Sequence, residues 1–436
     1  MTPFDIGATA IGVLVVLILI GMPIGIGMLS VSLAGVAFIR NETVAVRMMT
    51  QVANDSLEEY LFAVVPLFVL MGLLVTVSGV GKDTFDVFQK LLRRITAGLG
   101  VATVFANAVF AAITGISIAS ATVFSRIAVP EMRRHGYTNR FATGVVAGSS
   151  VLGMLIPPSL LMIVYAVLAE QSVGRMFLAG VGPGILLALA FTVTILILAS
   201  TRSGFVFEGG DEAVYEDFST LEIVFKAVPI LSLMLIVLGG LYGGFLNPTE
   251  AGAAGAFGAL VIALLRRSLD RKTFWRLLVE TGQITVSVLF LILAATFFSR
   301  MLALSGVPRE LAEFFLSGNI GPYGFLIAYI VLIVALGCLI DSISIMLIVL
   351  PIALPVAEAA GLDLIWFGVI TVIAVEIGLL TPPFGLSVYT IKSAMDDPDL
   401  KVGEIFRGAV PFILAMLVTL AVIILLPSTA TWLARL

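Results

Sequence analysis

The sequence predicts an all-α polytopic membrane protein made of two inverted-topology repeats, each with a re-entrant helical hairpin and a broken helix. Three observations predict it. The first is composition. Of 436 residues, 60% are apolar and 12% charged, whereas soluble domains carry roughly 25% charged residues. Apolar runs long enough to cross a bilayer recur from end to end, at a mean hydropathy of +1.16. The second is a pair of proline breaks deep in apolar sequence, Gly153-Met154-Leu155-Ile156-Pro157-Pro158 and Gly378-Leu379-Leu380-Thr381-Pro382-Pro383. The third is register. A shift of 225 residues carries Pro23 onto Pro248, Ser117 onto Ser342, Pro130 onto Pro355, Gly136 onto Gly361, Gly153 onto Gly378 and Pro157-Pro158 onto Pro382-Pro383. Ser78-Gly79-Val80 matches Ser305-Gly306-Val307 with a shift of 227.

Composition also excludes several functions. The single Cys338 lies in an apolar run and the single His135 in a charged connector, so no disulfide frame and no cysteine or histidine metal centre is expected. Net charge is −4 with no basic block, which argues against a nucleic-acid partner. Met1-Thr2-Pro3-Phe4-Asp5 lacks the positive region of a cleaved signal peptide. An intramembrane enzyme needs a placed nucleophile and base or a metal set, and no such constellation is legible. The chain is not expected to be an enzyme.

In chain order, residues 7–39 are too long for one span at about 1.5 Å per residue and read as two helices meeting near Pro23. Residues 41–59 are polar, and a span covers roughly 60–78. In 82–95, Phe85, Phe88, Leu92 and Ile95 recur at helical spacing among charges, the pattern of a helix lying in the interface plane. Residues 98–125 are apolar but contain Thr114-Gly115-Ile116-Ser117. That stretch reads either as close helix packing by small residues or as a local unwinding that adds oxygens to a site. A charged connector at 131–140 leads to the first hairpin, about 141–165, and a span at 177–200. The first repeat is therefore 1–201. An acidic linker follows at 202–222, with Glu208, Asp211, Glu212, Glu216, Asp217 and Glu222. The second repeat, 223–436, has spans near 227–245, 249–265, 280–300 and 322–340, a second hairpin about 365–391 and a last span about 408–427. Five crossings per repeat, an odd number, invert the second against the first. With the N-terminus outside, Lys82–Arg94 and Arg266–Arg276 fall inside, as the positive-inside rule prefers, and Arg126–Arg140 falls outside.

The proline pairs carry the chemistry. A proline has no N–H and clashes with the carbonyl four residues back. Helix leading into each break would have the carbonyls of Gly153 and Met154, and of Gly378 and Leu379, released. At membrane depth such oxygens persist only when buried in protein or lining a polar cavity, and a cluster of them suits a small hard cation. Broken segments at corresponding positions of two halves point to a transporter binding site. Two acids stand in apolar surroundings, Asp341 just before Ser342 and Glu376 two residues before Gly378. Each reads either as a functional group at depth or as a structural one. Glu250, after Asn247-Pro248-Thr249, reads as a first-turn acid.

Taken together, Asn247-Pro248-Thr249-Glu250-Ala251, Pro66-Leu67-Phe68 with Gly72, Pro130-Glu131-Met132-Arg133-Arg134-His135-Gly136-Tyr137, Ile156-Pro157-Pro158-Ser159 and Thr381-Pro382-Pro383-Phe384-Gly385 make the chain resemble, over essentially its whole length, the large membrane subunit of tripartite ATP-independent periplasmic (TRAP) transporters. The resemblance implies sodium-coupled import of a small organic acid or related solute across the bacterial inner membrane. It also implies delivery by a periplasmic binding protein, a partner small membrane subunit of about four helices, and an elevator movement of the hairpins with their broken helices. By motif, the first sodium site would draw on Ser117, Gly153, Ile156 and Pro157, and the second on Gly337, Gly378, Thr381 and Phe384. The solute would dock between the tips, near Ser159, Asp341, Ser342 and Gly385. Ile116 stands where many members have a second Ser or Gly, which leaves open the side chains completing the first site. Within transport, the alternative is a stand-alone proton- or ion-coupled permease using Asp341 and Glu376.

Overall fold

The computed structural model describes residues 1–58, 60–208, 219–317 and 321–435. The first part opens with α1 (Pro3–Leu19), α2 (Ile24–Ile39), α3 (Glu42–Glu58), a 3-10 turn at Tyr60–Ala63, α4 (Val64–Val77) and α5 (Val80–Leu92). It continues with α6 (Gly98–Thr114), α7 (Ser117–Arg134), α8 (Asn139–Ser150), α9 (Leu152–Leu155), α10 (Leu160–Leu168), α11 (Val173–Thr201) and α12 (Ser203–Val206). The second part has α13 (Thr220–Met234), which runs through a π turn (Leu235–Gly239) into α14 (Gly240–Tyr242), then α15 (Pro248–Leu265), α16 (Arg271–Ser305) and α17 (Val307–Ser317). It ends with α18 (Gly321–Gly337), α19 (Ser342–Ala359), α20 (Leu364–Leu380), α21 (Leu386–Met395), α22 (Val402–Leu425), α23 (Ser428–Thr431) and a 3-10 turn. Among the described residues the only β feature is an isolated bridge, Tyr137 to Phe207.

The helix starts follow from local chemistry. Thr2 and Asp5 close a capping box on α1 with Pro3 at its first turn. Asn247 and Glu250 do the same on α15, each side chain accepting the other's backbone N–H at 2.9 Å. Pro23 separates α1 from α2. Six other single prolines do not break helices: Pro130, Pro183, Pro229, Pro351, Pro355 and Pro411 all stay inside theirs. At the Pro-Pro pairs the helix stops, because two consecutive N–H groups are missing and the residue before a proline is driven to extended backbone.

Several expectations are corrected in detail. The polar stretch 41–59 forms a helix through Glu58, and the connector expected at 131–140 is shorter, because α7 continues to Arg134. The amphipathic segment α5 turns 66° away from α4. Phe85 is buried and Phe88 and Leu92 pack on the core, but Ile95 lies beyond the helix and is exposed, since the chain turns after Leu92. The start of the expected linker is anchored. Val206 is buried, its carbonyl accepts the Thr138 N–H at 2.9 Å, and the Phe205 carbonyl accepts the Thr138 hydroxyl at 2.6 Å. Asp211, Glu212, Glu216 and Asp217 lie outside the described residues.

Among the described residues six helices are long and apolar enough to cross a bilayer, or up to eight if two bent pairs each make one span. The core is built around α6, α8 to α10 and α20. Sixteen of the 17 residues of α20 and 15 of the 17 in α6 are buried, so these helices are apolar all round because protein surrounds them. The helix α13–α14 has 17% of its apolar window buried, and the rest is not covered by the described residues of this chain. The long α16, about 50 Å at 1.5 Å per residue, packs on α2, α4 and α19. Against the core, α8 crosses α22 closely at Gly144 and Gly408. A Cβ on Gly408 would overlap the Arg140 carbonyl, with the Gly144 Cα 3.1 Å away.

This crossing predicts that Gly408→Val costs about 2 kcal/mol through overpacking and lowers the thermal unfolding midpoint of the purified protein. Gly12→Ala, at a site with nothing within 4 Å, should leave that midpoint unchanged or slightly raised.

Candidate functional site

The first break in α6–α7 is a Gly115 in the left-handed region (φ +64°) followed by an extended Ile116. This is how helices commonly end. The first proline-broken segment runs as α8–α9, turns extended at Ile156, passes the cis Pro157-Pro158 bond and restarts at Ser159, with α10 bent 42° from α8–α9. Ser159 is fully buried. Its hydroxyl donates to the Met154 carbonyl at 2.5 Å and accepts the Met162 N–H at 3.3 Å. The tip locks onto the broken helix: the Leu160 N–H donates to the Gly115 carbonyl at 3.2 Å. Glycine is required at 115, and the approach at 153 is tight. A Cβ on Gly115 would lie 2.5 Å from the Pro158 carbonyl oxygen, and one on Gly153 would lie 3.2 Å from the Ser117 nitrogen.

The second break separates α18 from α19. Asp341 caps α19, its Oδ1 accepting the Ser344 N–H at 3.1 Å. Asp341 is half-buried and Ser342 buried. In the second hairpin α20 stops at Leu380, Thr381 is extended, Pro382-Pro383 is cis, and Gly385 (φ +57°) starts α21. Thr381 donates its N–H to the Gly378 carbonyl at 2.9 Å and its hydroxyl to the Ile377 carbonyl at 2.7 Å. The hairpin crosses the broken helix backbone to backbone, since a Cβ at either Gly337 or Gly378 would lie 2.6 Å from the other's Cα. The two tips differ in exposure: Pro157, Pro158 and Ser159 are buried, whereas Pro382, Pro383 and Phe384 are exposed, Phe384 at 54%.

The expected set of four released carbonyls is therefore corrected. Met154 is taken by the Ser159 hydroxyl and Gly378 by the Thr381 N–H, because the chain tightens locally to satisfy them. The Gly153 and Leu379 carbonyls remain opposite prolines that have no N–H to offer.

The structure brings Gly153 to Ser117, and Gly337 to Gly378, whose carbonyl accepts the Thr381 N–H. Ile156 lies against Gly184 of α11, and Gly385 against the Phe406 ring. It also joins the halves in a way no motif spelled. Ser117, at the start of α7, donates its hydroxyl to Glu376 Oε1 of the second hairpin at 3.4 Å. Glu376 is fully buried and its Oε2 has no partner. At its other end α7 holds the foot of the same hairpin. The Arg126 Nε donates to the Ala394 carbonyl at 3.2 Å, and Arg133 pairs with Asp397 at 2.8 Å. The hydrogen bond from Arg133 holds the Asp397 carboxyl below the usual carboxylate range. Asn107, which sequence reasoning passed over, organises a buried chain beside the first break. Its amide donates to Ser149 of α8 at 2.6 Å and its carbonyl oxygen accepts from Ser120 of α7 at 2.7 Å. A lone amide inside the apolar run 98–114 was the available signal.

Among the described residues no three His, Cys, Asp or Glu side chains group to hold a metal. The donors available at the tips are backbone carbonyls, hydroxyls and the one carboxylate, an all-oxygen set. Such unwound carbonyls suit alkali cations.

The family model described as "Tripartite ATP-independent periplasmic transporter, DctM component" matches residues 11–429. The chain is 33% identical, over 86% of each chain, to the C4-dicarboxylate TRAP transporter large permease protein of Pseudomonas aeruginosa. It is 30% identical, over 94% of each, to the sialic acid large permease protein of Vibrio cholerae. To the ectoine large permease protein of Halomonas elongata it is 30% identical, over 98% of this chain and 97% of the relative. In fold it is similar to the crystal structure of the Alcanivorax borkumensis YdaH transporter (TM-score 0.54, 14% identity, 85% of this chain and 86% of that one). With a family match over nearly the whole length and several apolar spans, the chain belongs to the DctM-component family of tripartite ATP-independent periplasmic transporters, as a large permease subunit: a multi-pass inner-membrane transporter and not an enzyme.

Proposed function

We propose that the chain imports a small organic acid or related solute by sodium-coupled secondary transport, taking it from a periplasmic binding protein and working beside a small membrane subunit of about four helices. The observation that carries this reading is the doubled crossing of hairpin tip on broken helix: Gly115 and Gly153 against each other's segments in one half, Gly337 against Gly378 in the other. A packed core of plain helices has no need of two such crossings, and a transporter binding site does. The relatives named for C4-dicarboxylates and sialic acid support an acid as cargo.

The residues fit sodium as the coupling ion. The Gly153 and Leu379 carbonyls each have a proline four residues on, with no N–H to offer, and the absence of side chains at Gly337 and Gly378 lets the two backbones meet. The Ser117 and Thr381 hydroxyls keep lone pairs free while donating elsewhere. Ser117, Gly153, Ile156 and Pro157 would hold one ion; Gly337, Gly378, Thr381 and Phe384 would hold the other. Bound sodium supplies the positive charge that lets freed carbonyls and an anionic solute share the site. The solute would dock between the tips beside Ser159, Asp341, Ser342 and Gly385, facing the helix-start amides of α7, α10, α19 and α21.

The two repeats, 1–201 and 223–436, would run with opposite topology, and the hairpins with their broken helices would move as one elevator body. Support comes from the cross-ties of α7 to the second hairpin at both ends and from the near-complete burial of α6 and α20. The mostly uncovered α13–α14 and the long α16 suit a static frame. Ion and solute affinities would then be reciprocally coupled.

Reconstituted in liposomes with its partner subunits, the chain should take up solute only under an inward sodium gradient. Uptake unchanged when potassium replaces sodium on both sides rejects the coupling. Gly378→Ala places a Cβ against Gly337 and should reduce uptake at least tenfold at unchanged membrane expression. Thr381→Ala should raise the sodium concentration for half-maximal uptake several-fold, and an unchanged value removes Thr381 from the second site.

A further inference from the structure

We infer that Glu376 is a cation ligand: the second hairpin supplies the carboxylate that completes the first sodium site at Ser117 and Gly153. The inference rests on the sodium-coupled reading and deepens it by assigning a side chain that the motifs do not.

The geometry is specific. Glu376 lies in α20, two residues before Gly378, and is 0% exposed. One carboxylate oxygen meets the Ser117 hydroxyl at 3.4 Å, a long hydrogen bond, and the other has no partner. Among the described residues no Arg, Lys or His pairs with it. A carboxylate taken out of water without a counter-charge is among the costliest groups a protein can bury, so Glu376 either holds a proton or takes a counter-charge from outside the chain, and the oxygens around it favour the second. The neighbouring atoms suit a cation. The Ser117 backbone lies against Gly153, where a Cβ would come within 3.2 Å of the Ser117 nitrogen, and the Gly153 carbonyl has only a proline four residues on. The three donor types are a carboxylate, a hydroxyl and a carbonyl, all hard oxygens.

Charge selects the ion's valence. One carboxylate balances one positive charge, and among the described residues no three His, Cys, Asp or Glu side chains group as a divalent ion would want. A divalent ion would leave a surplus charge in a buried place, whereas sodium leaves none. The assignment also answers the gap at Ile116, which provides no side-chain oxygen at the first break and no cap for α7. The missing ligand arrives from the other half of the chain. A site completed from across the molecule exists only while the second hairpin stands against α7, so filling it and aligning the hairpins are one equilibrium.

The test is thermal unfolding of the purified full-length chain titrated with sodium chloride, with choline chloride holding ionic strength constant. Wild type should rise in midpoint with sodium. Glu376→Gln, which keeps shape and acceptor but removes the charge, should raise the half-maximal sodium concentration at least tenfold, and Glu376→Asp should recover part of it. If Glu376→Gln does not fold, Ser117→Ala carries the same expectation with a several-fold rise. Half-maximal sodium within twofold of wild type in Glu376→Gln, while wild type responds, overturns the inference and leaves sodium coupling standing. No response in wild type overturns sodium coupling and the inference together.

Discussion

In hydrocarbon every backbone N–H and carbonyl must find a partner within the protein, and the structure is arranged around four places where an unbroken helix does not provide one. These are the breaks at Gly115–Ile116 and Cys338–Asp341 and the tips at Ile156–Ser159 and Thr381–Gly385. They are not scattered. Each tip lies on a break, so one interruption supplies partners or close packing to the other: Leu160 to Gly115 by a hydrogen bond, Gly378 to Gly337 by contact. Irregular backbone at depth is tolerated only where protein or a polar cavity covers it. The buried α6, α8, α9 and α20 form that cover, which explains why the most completely buried helices are the ones next to the irregular segments.

The two tips solve the same problem differently. In the first, a serine side chain reaches back five residues to the Met154 carbonyl and then caps the next helix, and the whole turn is buried. In the second, the threonine before the prolines tightens the last turn with its own N–H and hydroxyl, and the prolines and Phe384 stand exposed. The same primary device, a proline pair, thus leaves one tip wedged between helices and the other at a surface. Hydroxyl residues at positions 159 and 381 do opposite local work because one follows its proline pair and the other precedes it.

The halves are held together by polar contacts placed at both ends of α7: Ser117 to Glu376 deep inside, and Arg126 and Arg133 to the foot of the second hairpin.

The sequence by itself determined the all-helical membrane class, the position of both proline tips, the helix starts at Pro23 and Asn247–Glu250, and the family. It could do so because each of these depends on residues near in sequence: apolar runs, missing N–H groups, capping side chains and ordered motifs. The limits of the two proline-broken segments were legible within a few residues for the same reason, and the misplaced ends, such as Ile95 and the connector at 131–140, fell where turns and helix ends compete closely. Only the tertiary structure decided which freed carbonyls keep no partner, that Gly337 meets Gly378, that Asn107 bridges α7 and α8, and that Glu376 answers Ser117 from the opposite half. Those pairings join residues up to 259 positions apart. They are set by how whole helices cross, and no local pattern of side chains encodes a crossing.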